Sequence, residues 1–326
     1  MVRPGAGLLA ADESVATITS RFEATGIEST AESRRAYREL LLGAPGIEAH
    51  VSGVILHDET IRQCTSHRVP FPEFLADREI LPGIKVDVGA KALAGAPGET
   101  VTEGLDGLRE RIAEYRAMGA RFAKWRAVLS IADGRPTSRA IVANAHALAR
   151  YAALCQEGGL VPIVEPEVLM AGGHDISRCQ DVTRDVLTEL FAQLDLAEVD
   201  VAGIVLKPSM VVPGTAAPAE AVDDVAAATV RCLADTVPAA VPGVAFLSGG
   251  QRPDVATAHL DAMVRLGPYP WTLTFSYGRA LQDGPLRVWA GSADNVTEAR
   301  AMLLRLVRRN GAAALGRCDG TPATLE

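Results

Sequence analysis

The sequence predicts an α/β fold, a single (β/α)8 barrel, and three observations carry that expectation. Eight short apolar runs, each ending in a polar residue, are spread along the chain. Most are separated by segments long enough for a crossover helix, the signature of parallel strands. No G-x-G-x-x-G follows the first run, which removes the main signal of a dinucleotide-binding doubly wound sheet. A chain of 326 residues also has the length at which such barrels form one domain. We therefore expect one barrel domain over residues 1–326, closing with a short tail from about 317 to 326.

The runs, in order, are Gly7 to Asp12 (GLLAAD), Gly53 to Asp58 (GVILHD), Gly83 to Asp87 (GIKVD), Phe122 to Val128 (FAKWRAV), Leu160 to Glu165 (LVPIVE), Gly203 to Lys207 (GIVLK), Gly243 to Ser248 (GVAFLS) and Thr272 to Ser276 (TLTFS). After the first, a helix is expected near Ser33 to Leu42, opened by a capping box of Ser29 and Glu32. Between the fourth and fifth, Ser138 to Gly158 places Ile141, Ala145, Leu148 and Ala152 on one helical stripe. In a barrel the C-terminal strand ends form the active face. The residues standing there are Asp12, Asp58, Lys85, Lys124 with Arg126, Glu165 with Glu167, Lys207, Ser248 and Arg279. They are expected to converge on one site, although an ion network on a barrel rim would produce a similar list.

Lys207 organises that list. It ends the run AGIVLK and precedes Pro208, so it reads as the last residue of a buried strand. Burial disfavours the charged amine and lowers its pKa, and a free amine attacks carbonyls. An isolated strand-end lysine more often snorkels to the surface or pairs with a carboxylate. Lysine usage weighs against that here: of 32 basic residues only Lys85, Lys91, Lys124 and Lys207 are lysines, and three of the four follow or interrupt apolar runs. Only the amine, not a guanidinium, readily loses its proton and forms an imine.

Two glycine-bearing loops suggest a phosphate site. Ser248-Gly249-Gly250 follows the seventh run and Tyr277-Gly278-Arg279 the eighth, where barrels commonly bind phosphate through backbone N–H groups. Arg279 supplies a charge-assisted contact. Ser14, Thr17 and Arg21 could hold a second anion or simply belong to a capped helix. His57 is a minor candidate, and His146 and His174 read as structural or surface residues. The histidines have no H-x-H, H-x-x-H or H-E-x-x-H spacing, so neither a catalytic metal nor any other cofactor is expected.

Net charge of −8 and a pI near 5.4 argue against nucleic acid or an anionic membrane surface as partner. Five scattered cysteines without a C-x-x-C pair fit reduced thiols. The short apolar start, soon reaching Asp12 and Glu13, does not resemble a signal peptide, so a cytoplasmic location is expected.

LLAADES, GAPGIEAHVSGVILHDET, PGIKVDVG, ETVTEGLDGL, ARFAKWRAVL, VPIVEPEVL, HDISRCQDVT, VLKPSMVVPG, FLSGGQ and LTFSYGRALQ together resemble the signatures of the lysine-dependent, class I fructose-bisphosphate aldolases, in the same order and from about Leu8 to about Gly316. The resemblance implies that Lys207 is the Schiff-base lysine, with Glu165, and Glu167 beside it, as acid/base. It implies that Asp12 and Lys124 manage the C4 hydroxyl proton. It assigns Ser248, Gly249, Gly250, Gly278 and Arg279 to the C1-phosphate, and Ser14, Thr17, Lys85 and Arg126 to the C6-phosphate, with Arg21 at the mouth. The implied substrate is a phosphorylated ketose, the implied assembly a homotetramer, and no metal is implied.

Three departures bear on substrate and mechanism. Typical animal members end in a tyrosine that assists enamine protonation, whereas no tyrosine follows Tyr277 and the last residues read TPATLE, so either another group or water is expected to serve or turnover is slower. Ser20 stands where the family has a lysine before Arg21, and Glu13-Ser14-Val15-Ala16 departs from the family's E-S-T-G. These changes touch the C6-phosphate side and leave fructose 1-phosphate and sedoheptulose 1,7-bisphosphate open beside fructose 1,6-bisphosphate. Transaldolase-like transfer and a non-catalytic scaffold are the readings from other functional classes.

Overall fold

The computed structural model describes residues 1–318 and builds a barrel from the eight expected runs. In chain order the elements are β1 (Gly7–Ala11), α1 (Val15–Glu23), α2 (Ala31–Leu42), β2 (Val51–Leu56), α3 (Asp58–Ile61), α4 (Phe71–Ala76), β3 (Leu81–Lys85), β4 (Ala90–Ala92), β5 (Thr100–Thr102), α5 (Leu108–Ala117) and β6 (Phe122–Ser130). Then follow α6 (Ser138–Glu157), β7 (Val161–Leu169), α7 (Ile176–Leu196), β8 (Val205–Leu206), α8 (Val222–Thr236), β9 (Gly243–Phe246), α9 (Pro253–Arg265), β10 (Thr272–Tyr277), α10 (Arg279–Trp289) and α11 (Val296–Ala313). The closed, parallel barrel runs β1-β10-β9-β8-β7-β6-β3-β2. No helix among the described residues is long and apolar enough to cross a membrane.

Strand alternation explains why polar residues gather at one end. The barrel interior is filled by Leu8, Ala10, Ile55, Phe122, Ile163, Val205 and Ala245. A Cβ on Gly83 would lie 2.2 Å from the Phe122 ring, so β3 must carry glycine there for the interior to close. Two residues further along each strand the inward position recurs. There β1 leads to Asp12, β3 to Lys85, β6 to Lys124, β7 to Glu165, β8 to Lys207 and β10 to Ser276. The apolar plug thus forms the floor beneath a ring of ionisable groups, and it deprives them of water from below.

Three expectations change in detail. The capping box of α2 is formed by Thr30 and Ser33, not Ser29 and Glu32; the helix begins at Ala31, and the Ser29 hydroxyl instead bonds Thr19 at 2.6 Å. Asp58 does not join the ring. It is already the first residue of α3, and its carboxylate turns outward to Arg62 at 2.9 Å and the Tyr115 hydroxyl at 2.9 Å. The antiparallel pair β4–β5, between β3 and α5, was not foreseen, because its Gly- and Ala-rich segment lacks an apolar run. The tail expected from about 317 lies almost wholly outside the described residues. Its first two members are held in place: the Arg317 N–H donates to the Ala312 carbonyl at 3.0 Å, the Cys318 N–H to Asp261 Oδ1 at 2.8 Å, and the Cys318 carbonyl accepts from Arg265 at 3.0 Å.

Candidate active site

The mouth of the barrel holds a cavity of about 470 Å³ lined by Asp12, Lys85, Lys124, Glu165, Glu167, Lys207, Ser248 and Arg279, among others. At its base lies a chain of charges. Lys124 Nζ is 3.0 Å from Asp12 Oδ2 and 2.9 Å from Glu165 Oε2, and Lys207 Nζ is 3.2 Å from Glu165 Oε1. All four side chains are buried. Register produces this contact, since Ile163 pairs with Val205 and Val164 with Leu206, which brings Glu165 beside Lys207.

The two lysines differ electrostatically. Burial is the largest influence on Lys207 and lowers its pKa; Lys124 lowers it further, and Glu165 only partly opposes them. Lys124 is also penalised by burial, but Asp12 and Glu165 outweigh the penalty and hold it cationic. Asp12 is drawn down to about 2, because Lys124 and Lys207 overcome the desolvation that would raise it. One amine is therefore a fixed cation and the other is shifted toward the free base, the form that attacks a carbonyl.

Two candidate anion-binding rims flank this base. On one, in the loop after β9, Gly249 and Gly250 both adopt positive φ, +61° and +93°, the left-handed region glycine allows. Gly250, expected at the C1-phosphate, is not among the residues lining the cavity; a Cβ there would lie 3.5 Å from the Arg279 guanidinium. Helix α10 is preceded by Gly278 as its N-cap, which offers no side-chain cap, so its first N–H groups are left for a ligand. Arg279 is exposed and makes no ion pair among the described residues. On the other rim, after the neighbouring strand β1, Ser14 caps α1, accepting from Thr17 N at 3.3 Å and meeting the Thr17 hydroxyl at 3.0 Å. Lys85 Nζ lies there too, 2.8 Å from Asp87 Oδ1. Arg126 lines the cavity while paired to Glu167 at 2.5 Å. Arg21 reaches the lining, but its guanidinium is committed to Glu13 at 2.5 Å and Asp283 at 2.8 Å.

Two lining residues escaped the sequence reading. Ser276 is buried on β10, and its hydroxyl has no hydrogen-bond partner among the described residues; its inward phase follows from the alternation Thr274, Ser276. Asp87 is buried and fastens Lys85, the Gly89 N–H at 3.1 Å and the Arg126 N–H at 3.2 Å. Its bonds to Lys85 and Gly89 are local, but its tie to Arg126 spans 39 positions. His57 stands outside this cavity as the cap of α3, accepting from Glu59 N at 3.3 Å. No group of three His, Cys, Asp or Glu among the described residues is placed to hold a metal.

Comparison with known proteins places the chain. A family model described as "Fructose-bisphosphate aldolase class-I" matches residues 1–325. A "Probable fructose-bisphosphate aldolase class 1" of Xylella fastidiosa is 55% identical over 98% of this chain and 96% of its own. "Fructose-bisphosphate aldolase 5, cytosolic" of Arabidopsis thaliana is 51% identical over 97% of this chain and 89% of its own. Among solved structures, the Plasmodium falciparum fructose-bisphosphate aldolase, crystallised with TRAP and a small-molecule inhibitor, superposes with a TM-score of 0.96 at 47% identity, covering 98% of this chain and 93% of that one. The fold and this ring of groups therefore define a (β/α)8 lyase. More particularly, the chain belongs to the class I fructose-bisphosphate aldolases.

Proposed function

We propose that this enzyme cleaves fructose 1,6-bisphosphate reversibly to dihydroxyacetone phosphate and glyceraldehyde 3-phosphate through an imine on Lys207. What supports this reading is the position of Lys207: buried above an apolar floor, beside a carboxylate at 3.2 Å and within reach of a second lysine's field.

The steps follow from those neighbours. The free amine of Lys207 attacks the C2 ketone, and Glu165 delivers the proton with which the carbinolamine hydroxyl leaves as water. The resulting iminium is the electron sink. Asp12, assisted by Lys124, takes the proton of the C4 hydroxyl; the C3–C4 bond breaks, its electrons pass to the iminium nitrogen as an enamine, and glyceraldehyde 3-phosphate leaves. Protonation of the enamine at C3 and hydrolysis then release dihydroxyacetone phosphate. Glu167 orients Arg126 beside this centre. The tail, in which the sequence has no tyrosine to donate that proton, lies outside the described residues.

For the ends of the sugar, the uncapped start of α10 with Arg279 and the Ser248–Gly250 loop suits the C1-phosphate; Ser14, Thr17, Lys85 and Arg126 suit the C6-phosphate. We further propose one catalytic domain, a homotetramer and a cytoplasmic location, on the family resemblance and the cytosolic relative.

Cleavage of fructose 1,6-bisphosphate, followed by coupled detection of both triose phosphates with EDTA present, tests the activity. Arg279→Met should raise KM by about 10- to 100-fold, the weight of one charge-assisted contact, with a smaller change in kcat. A folded enzyme that releases no triose phosphate would contradict the reading, and an unchanged KM would remove Arg279 from the phosphate site.

A further inference from the structure

Beneath the cavity, the first turn of α10 is tied to β1 and α1 by a buried polar network that the reaction described above does not use. Its hub is Gln282, fully buried and one turn beyond Arg279. Gln282 Nε2 donates to the Ala10 carbonyl at 2.5 Å and to Glu13 Oε1 at 2.8 Å. Both partners are acceptors only, which fixes the orientation of the amide. Its Oε1 accepts from Arg21 at 3.4 Å, from the Tyr37 hydroxyl at 3.4 Å and from Arg38 at 3.5 Å, and its backbone carbonyl accepts from Tyr37 at 3.2 Å. Glu13 in turn meets Arg21 at 2.5 Å and Arg38 at 2.8 Å, and Arg21 reaches forward to Asp283 at 2.8 Å.

The placement of this hub has a geometric consequence. Ala10 and Glu13 bracket Asp12, and Glu13 is followed directly by Ser14 on one rim; Gln282 rides the helix whose start presents Gly278 and Arg279 on the other. The network therefore bolts together the two segments, following the neighbouring strands β1 and β10, that carry the two candidate anion sites. We propose that Gln282 is a positioning residue that fixes the separation of the two phosphate sites, so that it governs discrimination between bisphosphorylated and monophosphorylated ketoses. The proposal rests on the functional reading above. A ligand held at both ends gains from the second contact only when the spacing is held ready for it, whereas a ligand held at one end is indifferent to that spacing.

Gln282→Met keeps the length of the side chain and removes every side-chain hydrogen bond. We expect KM for fructose 1,6-bisphosphate to rise at least about tenfold while KM for fructose 1-phosphate changes less than about twofold. Tyr37→Phe, which removes a single donor to the hub, should move the same ratio in the same direction by less, and it carries the test if Gln282→Met does not fold. A general loss of stability would raise both KM values together or leave both alone. Either outcome, with the wild type cleaving both ketoses, overturns the positioning role and leaves the aldolase reading intact. A wild type that cleaves neither overturns the functional reading and this inference with it.

Discussion

Lys207→Ala should abolish cleavage of fructose 1,6-bisphosphate, a loss of at least about 10⁴-fold, since the other lysines lining the cavity are held in ion pairs, Lys85 with Asp87 and Lys124 with Asp12 and Glu165. Lys207→Arg should be equally inactive although it keeps a cation, because a guanidinium does not form the imine. The comparison separates nucleophile from electrostatic residue. An arginine variant that keeps appreciable activity would show that position 207 contributes only charge.

The second large effect falls on Lys124. Lys124→Met should lower kcat by about 10²- to 10⁴-fold, the usual weight of lost acid–base assistance. It should also change the pH dependence in a direction that can be worked out. Lys124 lowers the Lys207 pKa, so without it that pKa rises, the free amine becomes scarcer near neutrality, and the acidic limb of imine formation moves to higher pH. Glu165→Gln should move the same limb to lower pH, because Glu165 raises the Lys207 pKa. Opposite displacements in the two variants, followed by the rate of borohydride inactivation against pH, would be hard to obtain from any other arrangement.

Stability should follow the same charges. Lys124→Met leaves Asp12 and Glu165 buried without their cation, a cost of about 3–5 kcal/mol. Asp12 titrates at about 2 in the folded protein against an ordinary 3.8, so it contributes stability present above the unfolded value and lost as the pH falls through the folded one. Without Lys124 the Asp12 pKa rises and this contribution shrinks, so the variant starts from a lower stability and its acid unfolding, followed by circular dichroism, should begin at a higher pH than in wild type.

Much of this site was legible before any coordinates. The eight strands announced themselves as apolar runs, and because a barrel turns every strand end toward one face, the residues closing those runs formed a list that includes the catalytic candidates. The list erred at Asp58 for a local reason: after β2 the chain enters a helix at once, and the first helical carboxylate turns away from the axis. Ser276 was missed because its hydroxyl makes no hydrogen bond that would mark it, and Asp87 because its tie to Arg126 lies 39 positions away; the contacts of Gln282 span up to 272 positions. The family's motifs supplied roles for single residues. They carried no information about the hydrogen bonds that hold those residues apart at a working distance. Arg21 shows the difference, since its place at the mouth was foreseen and its commitment to Glu13 and Asp283 was not.

The central claim is that Lys207 is the amine that takes up the ketone, and one chemical measurement addresses it directly. The protein is incubated with dihydroxyacetone phosphate in the presence of EDTA, borohydride is added, and the modified peptide is located by mass. We predict a single reduced adduct on the peptide carrying Lys207, with Lys85, Lys91 and Lys124 unmodified. A folded protein that yields no adduct, or an adduct on any of those other lysines, would contradict the account.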